Sequence, residues 1–346
     1  MPFTPGFDKP EALDMLALCA NVESEATPPI PNPPPGWQML FMSPELGPFQ
    51  NKWQLWKQAA SGRYAVALRG TIMSAGSIVE DLISVMVKAT GTLQLGAASA
   101  SYDFSGDPEA GVHLGFAIGT LLLLKEPKDG ILARLPTLGV APASDVYITG
   151  HSQGAAMATL LRSYFNYAAD APKGCSYKTY AFAQPKPGND HYAEDFEAKF
   201  CATDMAFRVT NSLDWVPQVP FTIEFISDMN EPNPVSILAP SFTLLAIKEL
   251  IDRIRSLVAD ASLSRQRAHA VALAQAVSPA AAAAGPMALM AMGLQAPVMA
   301  SLNFVNAGTE AALTGAPCIG PQCQDAFFEH HASTYYTLLQ AQQPVV

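Results

Sequence analysis

Asp145-Val146-Tyr147-Ile148-Thr149-Gly150-His151-Ser152-Gln153-Gly154 decides how the rest of this sequence is read. Residues 145–149 form a compact run of β-branched and aromatic residues, the composition of a buried strand. The chain then passes without a linker into Gly150-His151-Ser152-Gln153-Gly154, and residues 155–169 have helical character. G-x-S-x-G arises often by chance in a chain rich in Gly and Ala. A preceding strand and a following helix give it meaning. Glycines on both sides leave room for a very tight strand-to-helix turn, on which Ser152 holds a strained backbone with its hydroxyl exposed above the sheet.

A serine hydroxyl becomes a nucleophile only with a base beside it, and the base needs an orienting carboxylate. On this kind of turn the chain order is Ser, then Asp or Glu, then His. Asp214, in Asn211-Ser212-Leu213-Asp214-Trp215-Val216-Pro217, directly follows an expected strand over 205–210. It therefore sits at the carboxyl end of a parallel strand, where active sites of open sheets collect. Asp190, Asp195 and Asp204 belong to an expected helix or its start and read as caps or surface charges. Of the histidines after Ser152, His191 precedes Asp214 and His269 lies inside a long helical stretch. His330 and His331 remain as the candidate base, just before a helix expected over 333–340.

Working outward, residues 10–22 read as a helix and 28–35 as a proline-rich extended arm. Residues 37–42, 52–57 and 63–68 read as a meander of strands, and 79–87 and 111–124 have helical spacing. Strands over 145–149, 177–183 and 205–210 alternate with helices, which means a mainly parallel sheet covered on both faces. Residues 302–305 and 310–313, around Gly308, read as a hairpin. Residues 221–300 break the pattern. They contain a long helix over 241–277 with an apolar stripe, then an Ala/Met-rich run, and are expected to form a helical insertion within one domain spanning 1–346.

Composition sets limits. With 346 residues, 49% hydrophobic and 14% charged, the chain buries a large core and is not disordered. A net charge of −10 and the lack of any basic stretch argue against a nucleic-acid partner. No charged residue lies between Gln275 and Leu302, but Pro279, Pro286 and Pro297, with Gly285 and Gly293, interrupt the run too often for an ordinary spanning helix. No basic n-region or long apolar run follows Met1, so no signal peptide is read here. Cys318 and Cys323, five apart in a Gly/Pro-rich loop, have the spacing of a small disulfide ring. Cys175 and Cys201 each precede an expected strand and meet if those strands are neighbours. Both pairs, if oxidised, fit secretion; the alternative is five reduced, mostly buried thiols. No Cys or His cluster has zinc-site spacing, and the chemistry calls for no metal or organic cofactor.

Four separated segments together resemble the class 3 (fungal-type) lipase family of the α/β-hydrolase superfamily. Arg63-Tyr64-Ala65-Val66-Ala67-Leu68-Arg69-Gly70-Thr71 is similar to a family strand ending in Phe-Arg-Gly-Thr/Ser. Val112-His113-Leu114-Gly115-Phe116 is similar to its Val-His-x-Gly-Phe helix start, and Val146 to Ala155 to its nucleophile turn. Tyr180 to Asn189, then Phe207-Arg208-Val209 and Asp214-Trp215-Val216-Pro217, resemble Thr-Phe-Gly-x-Pro-Arg-x-Gly-Asn, Arg-Val and Asp-x-Val-Pro. Leu68 replaces the aromatic before Arg-Gly, Ala155 replaces a second glycine after the turn, and the 221–300 insertion departs from the pattern.

The resemblance implies an α/β-hydrolase fold and a serine carboxylic-ester hydrolase, a lipase acting on triacylglycerol or another lipid ester. It favours His330 over His331, because His330 to Tyr335 fits the family's spacing of base and tyrosine. One oxyanion donor is expected at the backbone N–H of Gln153, and the resemblance puts the other at Thr71. Arg69 and His113 are expected to hold the loop and sheet edge. The insertion is expected to cap the mouth of the site and to meet lipid-water interfaces. A short-chain esterase or phospholipase on the same site, a serine peptidase, and a catalytically silent hydrolase-fold interaction protein are the competing readings.

Overall fold

A computed structural model of the chain describes residues 3–47, 50–70, 86–95, 98–220, 298–299, 303–317, 325 and 327–346. Its centre is a seven-stranded sheet whose spatial order follows the chain: β1 (Trp37–Met42), β2 (Lys52–Gln58), β3 (Tyr64–Arg69), β4 (Asp145–His151), β5 (Ser176–Phe182), β6 (Ala206–Asn211) and β7 (Thr309–Leu313). The first three strands run antiparallel as a meander. From β3 to β7 every pairing is parallel, with Val66 opposite Ile148, Ile148 opposite Thr179 and Phe182 opposite Val209.

The central strands are buried on both faces, and their side chains divide by the two-residue period of a strand. Val66, Leu68, Val146 and Ile148 join one core with Phe116, Ile118, Met157 and Leu161. Those last residues come from helices α2 (Leu114–Lys125) and α3 (Gln153–Tyr167). Ala65, Ala67, Tyr147, Tyr180 and Val209 join a second core with Met15, Leu16, Tyr335 and Leu339. These belong to α1 (Lys9–Glu23) and α4 (Ala332–Ala341). The expected α/β sheet with helices on both faces is therefore present.

Helix α1 is mostly apolar, and one of its acids, Glu11, ties it to the centre of the sheet. Asp8 caps its first turn by accepting from the Glu11 N–H. Glu11 accepts from the Tyr147 hydroxyl at 2.6 Å, the Tyr180 hydroxyl at 2.9 Å and the fully buried Lys178 ammonium at 2.7 Å. A buried lysine demands such a partner.

Several expectations are corrected. Residues 302–313 are not a hairpin. Phe304–Val305 pairs with Gly188–Asn189 in a small second sheet, whereas Thr309–Leu313 lies parallel to β6 at the edge of the main one. Gly308, at φ +119°, lets the chain turn between the two sheets. Residues 86–88 and 111–113 are short strands of that second sheet rather than parts of helices, so α2 begins only at Leu114. A hairpin of Thr90–Leu95 with Ala98–Asp103 was not anticipated. Cys175 and Cys201 do lie beside neighbouring strands, but both are free thiols facing different carbonyls, Ala141 and Ala206. Cys318, Cys323, His269, residues 79–85 and the expected helix over 241–277 lie outside the described residues. So does the expected cap, except that Val298–Met299 is a short strand paired with Met86–Val87. Among the described residues no helix is long and apolar enough to cross a membrane.

Candidate active site

The turn after β4 is as tight as its glycines suggest. A Cβ on Gly150 would lie 2.1 Å from the Gly154 carbonyl oxygen, and one on Gly154 would lie 2.4 Å from that of Leu68. Neither position admits a side chain. Ser152 itself has φ +57° and ψ −133°, a conformation that L-residues rarely adopt and that costs on the order of 1–3 kcal/mol. The strain is held by hydrogen bonds on either side, from Ser152 N–H to the Phe182 carbonyl and from Ala155 N–H to that of Ser152. Gln153 is the first residue of α3, so its N–H belongs to the helix end that lacks intrahelical acceptors.

Ser152 Oγ lies 2.8 Å from His330 Nε2, and His330 Nδ1 lies 2.8 Å from Asp214 Oδ2. His330 closes the short 3-10 turn Phe328–His330 ahead of α4, and Asp214 stands three residues past the end of β6. Both are almost completely buried. Asp214 Oδ1 accepts from the Val216 N–H at 2.9 Å, and Oδ2 accepts a second bond, from the Tyr335 hydroxyl at 2.8 Å. With its carboxylate so held, Asp214 fixes the tautomer of His330: Nδ1 donates to the acid, and Nε2 is free to accept from Ser152. Burial pushes the His330 ring below its ordinary value; Asp214 opposes that shift, and His151 and His331 reinforce it. A shift in this direction favours the neutral ring, whose Nε2 faces the Ser152 hydroxyl.

The sequence left two histidines open, and the structure separates them. His331, one residue on, turns to the surface, where its Nε2 meets Asp325 Oδ2 at 2.7 Å. Among the other acids, Asp195 accepts from the Ser105 and Tyr167 hydroxyls, and His191 pairs with Asp107 on the surface. Arg69 spans from the end of β3 to the Gln50 carbonyl and the Glu45 carboxylate, and His113 Nδ1 caps α2 by accepting from the Phe116 N–H. Thr71 lies outside the described residues; Gly70 before it packs so closely on the Gln153 side chain that a Cβ would overlap it.

Four residues around the site escaped the sequence reading. Tyr335 served there only as a spacing marker. Asn211 donates from Nδ2 to both the carbonyl and the carboxylate of Glu329, next to His330, and its N–H donates to the Tyr335 hydroxyl. Glu23, with Glu25, lines the cleft above Ser152 together with Arg69, His151, His330 and His331. Among the described residues no group of acids, histidines or cysteines is arranged to hold a metal ion.

A mainly parallel sheet, a strained serine at its central turn and a buried acid–imidazole pair beside it define a protein of the α/β-hydrolase type. Residues 65–224 match the family model described as lipase (class 3), the family that the four motifs resemble. Relatives include a phospholipase A1-II 6 of Oryza sativa, 30% identical over 180 residues, which are 47% of this chain and 42% of the relative. A secreted mono- and diacylglycerol lipase of Malassezia restricta is 39% identical over 74 residues, 21% of this chain and 23% of the relative. A secreted mono- and diacylglycerol lipase of Fusarium solani is 32% identical over 111 residues, 32% of this chain and 30% of the relative. These matches thus span from under a quarter to about two fifths of the relatives' own length. Among solved structures, M37 lipase is 18% identical with a TM-score of 0.49, covering 88% of this chain and 78% of its own. Lip2 lipase from Yarrowia lipolytica is 20% identical with a TM-score of 0.47, covering 64% and 78%.

Proposed function

We propose that the chain is a serine carboxylic-ester hydrolase of lipid esters, working through Ser152, His330 and Asp214. The observation that carries this is the unbroken hydrogen-bonded chain from Ser152 Oγ through His330 to Asp214. In the first half-reaction His330 Nε2 takes the Ser152 proton as Oγ attacks the ester carbonyl carbon. Asp214 stabilises the imidazolium that results. The tetrahedral oxyanion forms above the N-terminus of α3, with the Gln153 and Thr71 N–H groups proposed as its donors. Collapse of that intermediate breaks the ester C–O bond, and the imidazolium gives its proton to the leaving alcohol. Water, deprotonated by the same ring, then clears the acyl-enzyme as the free acid.

Lipid esters are favoured over short soluble esters because the matched relatives are named for acylglycerols and phospholipids. Action at a lipid-water interface, and a cap formed by residues 221–300 over the cleft, belong to the same proposal. The test is hydrolysis of p-nitrophenyl esters of rising chain length and of dispersed mono-, di- and triacylglycerol and phosphatidylcholine, beside labelling of Ser152 by a fluorophosphonate. Labelling with hydrolysis that rises with chain length supports the lipase reading, and rates confined to acetate and butyrate support a short-chain esterase. Amide cleavage outpacing ester cleavage points to a peptidase. A folded protein that neither labels nor hydrolyses overturns the proposal in favour of a silent interaction module.

A further inference from the structure

The proposed reaction leaves the His151 side chain of the Gly150–Gly154 turn without work, yet it is buried at the centre of the site. Its two ring nitrogens face two acceptors. Nε2 lies 2.8 Å from the His330 carbonyl oxygen, and Nδ1 lies 3.3 Å from Glu23 Oε1 and 3.2 Å from Oε2. A neutral imidazole has one N–H and cannot donate to both; an imidazolium can. The ring also lies 4.7 Å, centroid to centroid, from the ring of His330.

We infer that Glu23 and a charged His151 are a positioning pair. Through it, the end of helix α1 holds the backbone of His330 in place and keeps the ring of His330 unprotonated. The inference rests on reading His330 as the catalytic base.

The groups around the pair agree with this. From the end of α1 come Glu23 and, just beyond it, Glu25. Cys19, one turn earlier, meets Thr149 at 3.2 Å, and burial with the nearby Glu23 pushes its thiol well up, so it stays neutral. From α4, the Tyr335 ring stands nearly perpendicular to that of His151, 6.0 Å between centroids, and its hydroxyl donates to Asp214. From the 3-10 turn come the His330 ring and carbonyl, with His331 outside them and Glu329 behind on Asn211. Burial works against a charge on His151, but Glu23, Glu25 and the His330 carbonyl outweigh it and push the ring up to about 9. The charge then works on His330 at close range, where it opposes a second imidazolium. Because α1 is also tied to the sheet by Glu11, the pair stands on a fixed support rather than on a loose terminus.

Nitrogen-15 NMR titration of the imidazoles tests this without reference to activity, with pH profiles of kcat/KM on p-nitrophenyl butyrate alongside. In the wild type, both nitrogens of His151 should carry protons from pH 6 to 8 while His330 is neutral over the upper part of that range. His151→Gln keeps an N–H for the His330 carbonyl but removes the charge. It should raise the His330 midpoint, and the acid limb of kcat/KM with it, by about one pH unit or more. Glu23→Gln removes the counter-ion and so the charge of His151; it should raise both in the same direction by less, and adding His151→Gln to it should change little further. A purely structural role would lower stability and rate without moving either midpoint. A neutral His151 at pH 7, or a His330 midpoint unmoved in the folded variants, overturns the inference. If His151→Gln does not fold, Glu23→Gln decides alone. Midpoints that move as expected in a protein without hydrolytic activity would count against the proposed function and leave the pair standing.

Discussion

The hydroxyl of Tyr335 and the imidazole of His330 share one carboxylate oxygen, Oδ2 of Asp214, each at 2.8 Å. The tyrosine also accepts the Asn211 N–H at 3.0 Å, so it links the end of β6 to the acid. Removing the hydroxyl strips Asp214 of one donor and leaves a buried backbone N–H without its acceptor. Tyr335→Phe should cost about 1–3 kcal/mol of stability and reduce kcat several-fold while KM holds. Urea unfolding and steady-state kinetics on one preparation check both, and a fully active, equally stable variant would contradict the linkage.

The two histidines should separate sharply by substitution. His330→Ala removes the imidazole hydrogen-bonded to Ser152 and should lower kcat on the order of 10⁴-fold or more. His331→Ala loses only a surface contact with Asp325 and should stay within a few-fold of wild type. Asp214→Asn should fall by about 10⁴ through the wrong tautomer of His330. A severe His331→Ala beside a mild His330→Ala would reassign the base.

Ser152 stores strain that a glycine would release. Ser152→Ala and Ser152→Gly should both abolish labelling and hydrolysis, but alanine keeps a Cβ at φ +57° whereas glycine does not. We expect the glycine variant to be the more stable of the two by about 1 kcal/mol, after the entropy that glycine loses on folding. Denaturant midpoints at equal m-values decide it; an alanine variant as stable as the glycine one would mean the turn is not strained.

His113 should make folding sensitive to acid. Burial pushes its ring down to about 3 from an ordinary 6.5. As pH falls below 6.5 the unfolded chain takes up a proton that the folded one refuses. The stability contributed by the neutral ring is therefore full above 6.5 and is lost as pH drops toward 3. His113→Asn keeps a cap for α2 without a titrating group, so the fall in denaturation midpoint from pH 7 to pH 5 should be shallower than in wild type. Equal slopes would assign the acid sensitivity elsewhere.

Residues whose role is written locally were legible in the sequence. Gly150 and Gly154 announce the turn because no other residue fits there, and Asp214 announces itself by following a strand. His330 and His331 were not separable by pattern, since both precede the same helix; only the spacing to Tyr335 favoured the first. Gly111–His113, Gly188–Asn189 and Phe304–Val305 are too short to carry a strand's alternation, and the second sheet they help to form was invisible. The segment around Gly308 alternates as a hairpin does, yet its two arms belong to different sheets, a choice made by partners far along the chain. Glu23 was hidden for the same reason: its significance depends on His151, 128 residues away.

Contact between helices α1 and α4 on one face of the sheet has a consequence for biosynthesis. The groups that meet above the central strand come from residue 23, residue 152, residue 214 and residue 330, so the proposed site gathers side chains that lie far apart in sequence. While the ribosome still holds α4, a nascent chain already carries the proposed nucleophile and acid but not the proposed base, and α1 lacks one of the surfaces it covers. On the proposed mechanism, hydrolytic competence waits for the release of α4, and a product cut short before His330 should lack it.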